Sequence, residues 1–212
     1  MKFNRQTPCV YKNIRAVFHG IPKNASTSVK NALYEYENNR SFGNRKQWIH
    51  KGSGKGGSMY PDIECIKTKF DDWFHFTVVR NPYDRFVSFY SDLFAKTAYT
   101  RTSIPSFYTY NKIKFEGMTV DLVIDMIEKF GDDDCDEHFA SQLSFVYKDD
   151  CQILKMESLE KDWKEVCSKL SLDYKPLPLY NVSKASISLT ESQKERIYKR
   201  YGQDFKQLGY DK

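Results

Sequence analysis

Phe74-His75-Phe76-Thr77-Val78-Val79 runs straight into Arg80-Asn81-Pro82-Tyr83-Asp84-Arg85-Phe86-Val87-Ser88-Phe89-Tyr90. The first six residues are aromatic and β-branched with little polar alternation, the pattern of a buried parallel strand. Asn81 reads as a helix cap, and Pro82 suits the first helical position, where its missing N–H would have had no partner. Phe86, Tyr90, Leu93 and Phe94 then recur at helical spacing as an apolar stripe. Arg80 therefore stands at the C-terminal end of a strand, where open α/β sheets bind their ligands. Its planar fork suits a phosphate, and Ser88, two turns into the helix, offers a second donor. Pairing of Arg80 with a carboxylate such as Asp84 is the competing reading of this stretch taken alone.

Upstream, Ile14-Arg15-Ala16-Val17-Phe18-His19 reads as another strand, stopped by Gly20 and Pro22. Val29, Ala32, Leu33 and Tyr36 fall on one helical face, with Ser26 or Thr27 expected as the cap. Between strand and helix lies Pro22-Lys23-Asn24-Ala25-Ser26-Thr27-Ser28: small and hydroxylated side chains, one lysine, and backbone amides at a helix start. Free N–H groups, the positive end of a helix, hydroxyl donors and a cation together make an oxyanion site. Alone, the same residues also describe an ordinary helix cap with a surface lysine. The Walker A pattern is absent, and Gly54-Lys55 does not supply it, because position 49 is Ile and position 56 is Gly. Two anion sites at neighbouring strand ends imply one ligand with two anionic groups.

The rest of the chain fits one α/β domain over residues 1–212 with a central, mainly parallel sheet flanked by helices. Ile63-Glu64-Cys65-Ile66 reads as a short strand, Gln152-Ile153-Leu154-Lys155-Met156 as another. Helices are expected at about 119–129, 136–146, 158–170 and 190–205, and 96–118 as an irregular, aromatic and basic lid or binding segment. A hydrophobic share of 40% and an aromatic share of 16% exclude global disorder. A net charge of +5 over 212 residues permits an anionic ligand but is too dispersed to indicate nucleic acid. No apolar run is long enough to span a membrane. Five scattered cysteines without a C-x-x-C pair suggest reduced thiols rather than a disulfide or zinc framework.

The stretches from Ile21 to Leu33 and from Phe76 to Phe94 together resemble the two nucleotide-binding motifs of the sulfotransferases, closest to the Golgi-type carbohydrate sulfotransferases. The first is similar to their 5′-phosphosulfate loop. Val79-Arg80-Asn81-Pro82-Tyr83-Asp84-Arg85-Phe86-Val87-Ser88-Phe89-Tyr90 is similar to their 3′-phosphate motif, Val-Arg-x-Pro-x-x-Arg-x-x-Ser-x-Tyr. Weaker matches follow in family order: Asp136-Glu137-His138-Phe139 with Gln142, Met156-Glu157-Ser158-Leu159, and Tyr201-Gly202-Gln203-Asp204-Phe205. The resemblance implies a P-loop-kinase-like fold and 3′-phosphoadenosine-5′-phosphosulfate as donor, with no metal. It gives Lys23 the bridging oxygen and leaving phosphate. Asn24, Ala25, Ser26, Thr27 and Ser28 would cradle the 5′ end, and Arg80 and Ser88 would bind the 3′-phosphate. Asn181, Ser183 and Lys184 fall where the family closes a loop over the nucleotide.

Sulfuryl transfer asks mainly for alignment and for positive charge at the leaving group. The acceptor hydroxyl wants a base that titrates near neutrality, which points to histidine. His50, between the two motifs, and His138 are the candidates, with Glu137 as a fallback; His19 and His75 read as structural. The resemblance implies a carbohydrate acceptor. The Golgi enzymes carry a membrane anchor and disulfide-linked luminal segments that this sequence lacks, so a cytoplasmic setting is expected. Two rivals stand beside this reading: a kinase on the same fold, and a non-catalytic domain that binds an anionic glycan or a protein.

Overall fold

A computed structural model describes residues 8–41, 58–59, 61–95, 111–113, 117–178 and 187–212. In chain order the regular elements are β1 (Cys9–Tyr11), β2 (Ala16–His19), α1 (Ser26–Asn38), β3 (Ser58–Met59), α2 (Ile63–Lys69), β4 (Phe74–Val79), α3 (Pro82–Tyr90), α4 (Val120–Lys129), β5 (Gln152–Lys155), α5 (Leu159–Lys169) and α6 (Glu191–Leu208). They fall into two compact units. Among the described residues, one holds those from 8 to 80 and from 145 to 178; the other holds those from 81 to 144 and from 187 to 212.

The first unit is built on one sheet in the order β3-β1-β2-β4-β5. Its centre and working edge are parallel: β2 pairs with β4, and β4 with β5. β1 adds to β2 as an antiparallel hairpin whose turn places Arg15 in the left-handed region (φ 49). The period of two sorts the side chains. Tyr11, Phe18, Phe76, Val78 and Leu154 face α1 and α5, where Val29, Leu33, Trp163 and Val166 meet them. Val10 and Val17 take the opposite face with Ile66 of α2 and Phe70. Each fully buried side chain of this size stabilises by about 1.5–3 kcal/mol relative to exposure. Glu37 clamps the hairpin to α1, its carboxylate accepting the Asn13 backbone N–H at 2.9 and 3.1 Å.

Four local expectations give way here. Ile63-Glu64-Cys65-Ile66 is not a strand but the start of α2: Asp62 caps it by accepting the Cys65 N–H at 2.7 Å. Residues 136–146 form turns and one 3₁₀ turn, Leu143–Phe145, rather than a helix. The cap of α1 is neither Ser26 nor Thr27 but Ala25, in the left-handed region (φ 54, ψ 17) and with no side-chain cap bond. The strand expected from Ile14 starts only at Ala16, because residues 12–15 form the turn that follows β1.

In the second unit, α3 starts as expected, Asn81 accepting the Tyr83 N–H and Pro82 opening the helix. α6 begins with a full capping box between Thr190 and Gln193. It is tied to α4 by Arg196, which reaches Asp125 and Glu128.

Candidate active site

The loop between β2 and α1 leaves the sheet at Gly20. It turns back on itself through the Asn24 N–H to the Ile21 carbonyl, 3.3 Å. Ser26 donates its hydroxyl to the same carbonyl. Lys23 (φ 72) and Ala25 (φ 54) are both left-handed although neither is glycine. Each such residue costs on the order of 1–2 kcal/mol. The conformation belongs to loops whose successive N–H groups turn toward one spot, and α1 contributes its positive end there.

What holds the loop is the neighbouring strand. Asn24 is fully buried and donates its amide to the Val78 carbonyl at 3.0 Å. Thr77 donates to the His19 carbonyl at 2.6 Å. Because β2 and β4 are adjacent and parallel, His19 opposite Thr77, the loop and Arg80 emerge side by side from one edge of the sheet. Lys23 and Arg80 are both half-buried, and Ser28 is buried. The geometry thus brings two cations and a helix start to neighbouring strand ends.

Gly20 has a second reason to lack a side chain. A Cβ there would lie 3.1 Å from Cε and 3.4 Å from Nζ of Lys30. Lys30 is fully buried, one turn into α1, and its stem runs back toward the helix start. Nothing in the sequence marks Lys30, which looks like a surface residue of a helical pattern.

His19 and His75 are buried together, exposed by only 1% and 3%. His75 Nε2 lies 2.8 Å from the Phe70 carbonyl, and its Nδ1 lies 3.0 Å from His19 Nε2. His19 Nδ1 is 3.1 Å from the Phe145 carbonyl and 3.4 Å from the Tyr147 N–H. With both rings neutral, His75 donates to Phe70, His19 donates to His75, and His19 Nδ1 accepts from Tyr147. Burial holds His19 down to about 4, and lowers His75 as well.

Ser88 lies in the second unit, buried on α3. Arg85, one turn before it, is almost wholly buried and donates to the Ala140 carbonyl at 2.8 Å and the Glu137 carbonyl at 3.5 Å. Asp204 of α6 accepts the backbone N–H groups of Gln142 and Leu143 at 2.8 and 3.1 Å. Tyr201 donates to the Phe139 carbonyl at 2.8 Å. Residues 137–143 are thereby strung between α3 and α6. His138 sits in this segment, half-buried. Oδ1 of buried Asp136 accepts its backbone N–H at 2.9 Å and its Nδ1–H at 2.6 Å.

His50, Asn181, Ser183 and Lys184 lie outside the described residues, as does most of the 96–118 stretch. The stretches singled out in the sequence contain Arg85 and Asp136 but give neither a role of its own. The signal for Asp136 was its i, i+2 spacing from a histidine; for Arg85, the signal was its place on the buried face of α3.

Among the described residues no group of three or more His, Cys, Asp or Glu side chains is placed to hold a metal ion. No helix among them is long and apolar enough to cross a membrane. A family model described as "Sulfotransferase family" matches residues 9–211. None of the curated proteins and none of the solved structures compared with the chain matches it.

Proposed function

Because the chain belongs to the sulfotransferase family, we propose that it moves a sulfuryl group from 3′-phosphoadenosine-5′-phosphosulfate to a hydroxyl acceptor, with a carbohydrate as the acceptor class. The observation that carries this reading is the loop held in two left-handed non-glycine residues beside Arg80 at the adjacent strand end. Strain of this kind persists where the surroundings over-determine it, and it pre-forms a cradle for an anion. Lys23 neutralises the leaving 5′-phosphate, and Asn24, Ala25, Ser26, Thr27 and Ser28 supply backbone and hydroxyl donors around it. Arg80 and Ser88 hold the 3′-phosphate, and Ser183 and Lys184 close over the nucleotide. A histidine, His50 or His138, takes the acceptor proton. The single family match across both compact units supports treating them as one working domain. The free cysteines, four of them buried, support a reducing, cytoplasmic setting.

The test is calorimetric binding of 3′,5′-adenosine bisphosphate, 5′-AMP and ATP with magnesium to the wild type and Arg80→Ala. Bisphosphate should bind more tightly than 5′-AMP. The variant should lose about 2–3 kcal/mol, the worth of charged hydrogen bonds to one phosphate, or roughly 30–150-fold. Equal binding of bisphosphate and 5′-AMP, or none, would replace this reading with the non-catalytic one. A preference for ATP with magnesium would favour a kinase.

A further inference from the structure

Resting on the sulfuryl-transfer reading, we infer that Asp136 is the positioning residue of His138, and that the pair forms the acid–base dyad of this protein. A carboxylate only accepts hydrogen bonds, so the 2.6 Å contact puts the ring proton on Nδ1. Nε2 then carries the lone pair, and among the described residues it has no hydrogen-bond partner. The same Oδ1 also holds the backbone N–H of His138, so one atom fixes both the main chain and the ring.

Exposure separates the two roles. The Asp136 side chain is only 8% exposed, shielded as an orienting group should be, whereas His138 is 23% exposed and reachable by a substrate. A turn cap alone needs the backbone bond and leaves the ring free; here the ring is engaged as well. The support behind the pair is of the kind a functional group needs. Arg85 grips the carbonyls of Glu137 and Ala140 on either side of His138, and Asp204 grips the two N–H groups that follow. By contrast, His19 and His75 spend their ring nitrogens on each other and on the backbone, leaving no lone pair for a substrate.

In the transfer step the acceptor hydroxyl gives its proton to Nε2 as its oxygen bonds to sulfur. The bond from sulfur to the bridging oxygen breaks, and its electron pair leaves with 3′,5′-adenosine bisphosphate. The imidazolium, still donating Nδ1–H to Asp136, returns the Nε2 proton to water.

The experiment uses the full chain labelled with ¹⁵N-histidine, as wild type, Asp136→Ala and Asp136→Asn. Asparagine keeps an oxygen for the His138 backbone N–H but gives up the charge, so it serves if the alanine variant does not fold. Imidazole ¹⁵N shifts should show wild-type His138 as the Nδ1–H tautomer. Diethyl pyrocarbonate, followed by mass spectrometry, should modify its Nε2 readily. Asp136→Ala should populate the Nε2–H tautomer and react on the order of 10-fold more slowly, as expected when the partner that orients a histidine is lost. Asp136→Asn, whose amide oxygen still accepts both bonds, should keep the Nδ1–H tautomer and lose reactivity through the missing charge. Binding of 3′,5′-adenosine bisphosphate should stay unchanged in both. A wild-type Nε2–H tautomer, an alanine variant whose tautomer and reactivity are unchanged, or an asparagine variant as reactive as the wild type overturns the dyad while leaving the donor site standing. Absence of bisphosphate binding in the wild type defeats the sulfuryl-transfer reading, whatever the tautomer.

Discussion

Acidification should strike this protein first at His19. Its ring is buried beside His75, and burial, the largest influence, lowers it from 6.5 to about 4. The unfolded chain therefore binds a proton between pH 6.5 and about 4 that the folded chain refuses, so stability falls as pH drops through that window. A gap of about 2.5 pH units corresponds to about 3.4 kcal/mol once pH is below 4, and to about 2 kcal/mol between pH 7 and 5. His75, also lowered, adds a loss of the same sign. Urea unfolding at pH 7 and pH 5 on the wild type and His19→Gln separates this effect from the carboxylates, which titrate alike in both. The wild type should lose about 2 kcal/mol more than the variant over that interval. An equal loss in the two proteins would refute the argument that a neutral, buried His19 is held against its own protonation.

Two further substitutions probe the frames around the candidate site. Gly20→Ala puts a methyl 3.1 Å from Lys30 Cε and 3.3 Å from the Phe18 ring; overpacking of this kind costs about 1–3 kcal/mol, and thermal unfolding should come several degrees earlier. Asp204→Ala removes the acceptor of two backbone N–H groups, each worth about 1–3 kcal/mol when left buried and unsatisfied, whereas Asp204→Asn keeps one acceptor oxygen and should cost less; chemical denaturation of both variants checks the order.

Local chemistry explains where the sequence could be read. β2, β4 and α3 were legible because a buried parallel strand and a capped helix write themselves in contiguous residues: Asn81 and Pro82 act within two positions of each other. The last helix was equally open, its capping box closing between Thr190 and Gln193. Ile63-Glu64-Cys65-Ile66 misled because a four-residue apolar run fits either period, and the deciding residue was Asp62, one position upstream. The helix expected at 136–146 failed for a different reason. Its apolar residues suit a helix, but its backbone groups are claimed by Arg85 and Asp204, 55 and 62 residues away. The cap of α1 misled in turn because Ser26 spends its hydroxyl on the Ile21 carbonyl and not on the helix. Lys23 and Arg80 could be singled out by type and place. The Asp136–His138 contact and the burial of Lys30 needed the fold.

Residues 136–143 contain no ladder of their own; their order is lent by the last helix, by α3 and by Asp132, which accepts from Ser141. Amide hydrogens of Gln142 and Leu143 therefore exchange with solvent when the grip of Asp204 opens, and they report how firmly α6 and this segment hold together. Any ligand, substitution or crowding partner that slackens α6 also slackens the ground beneath His138. Exchange protection at these two amides is thus a remote gauge of how firmly that histidine is aimed.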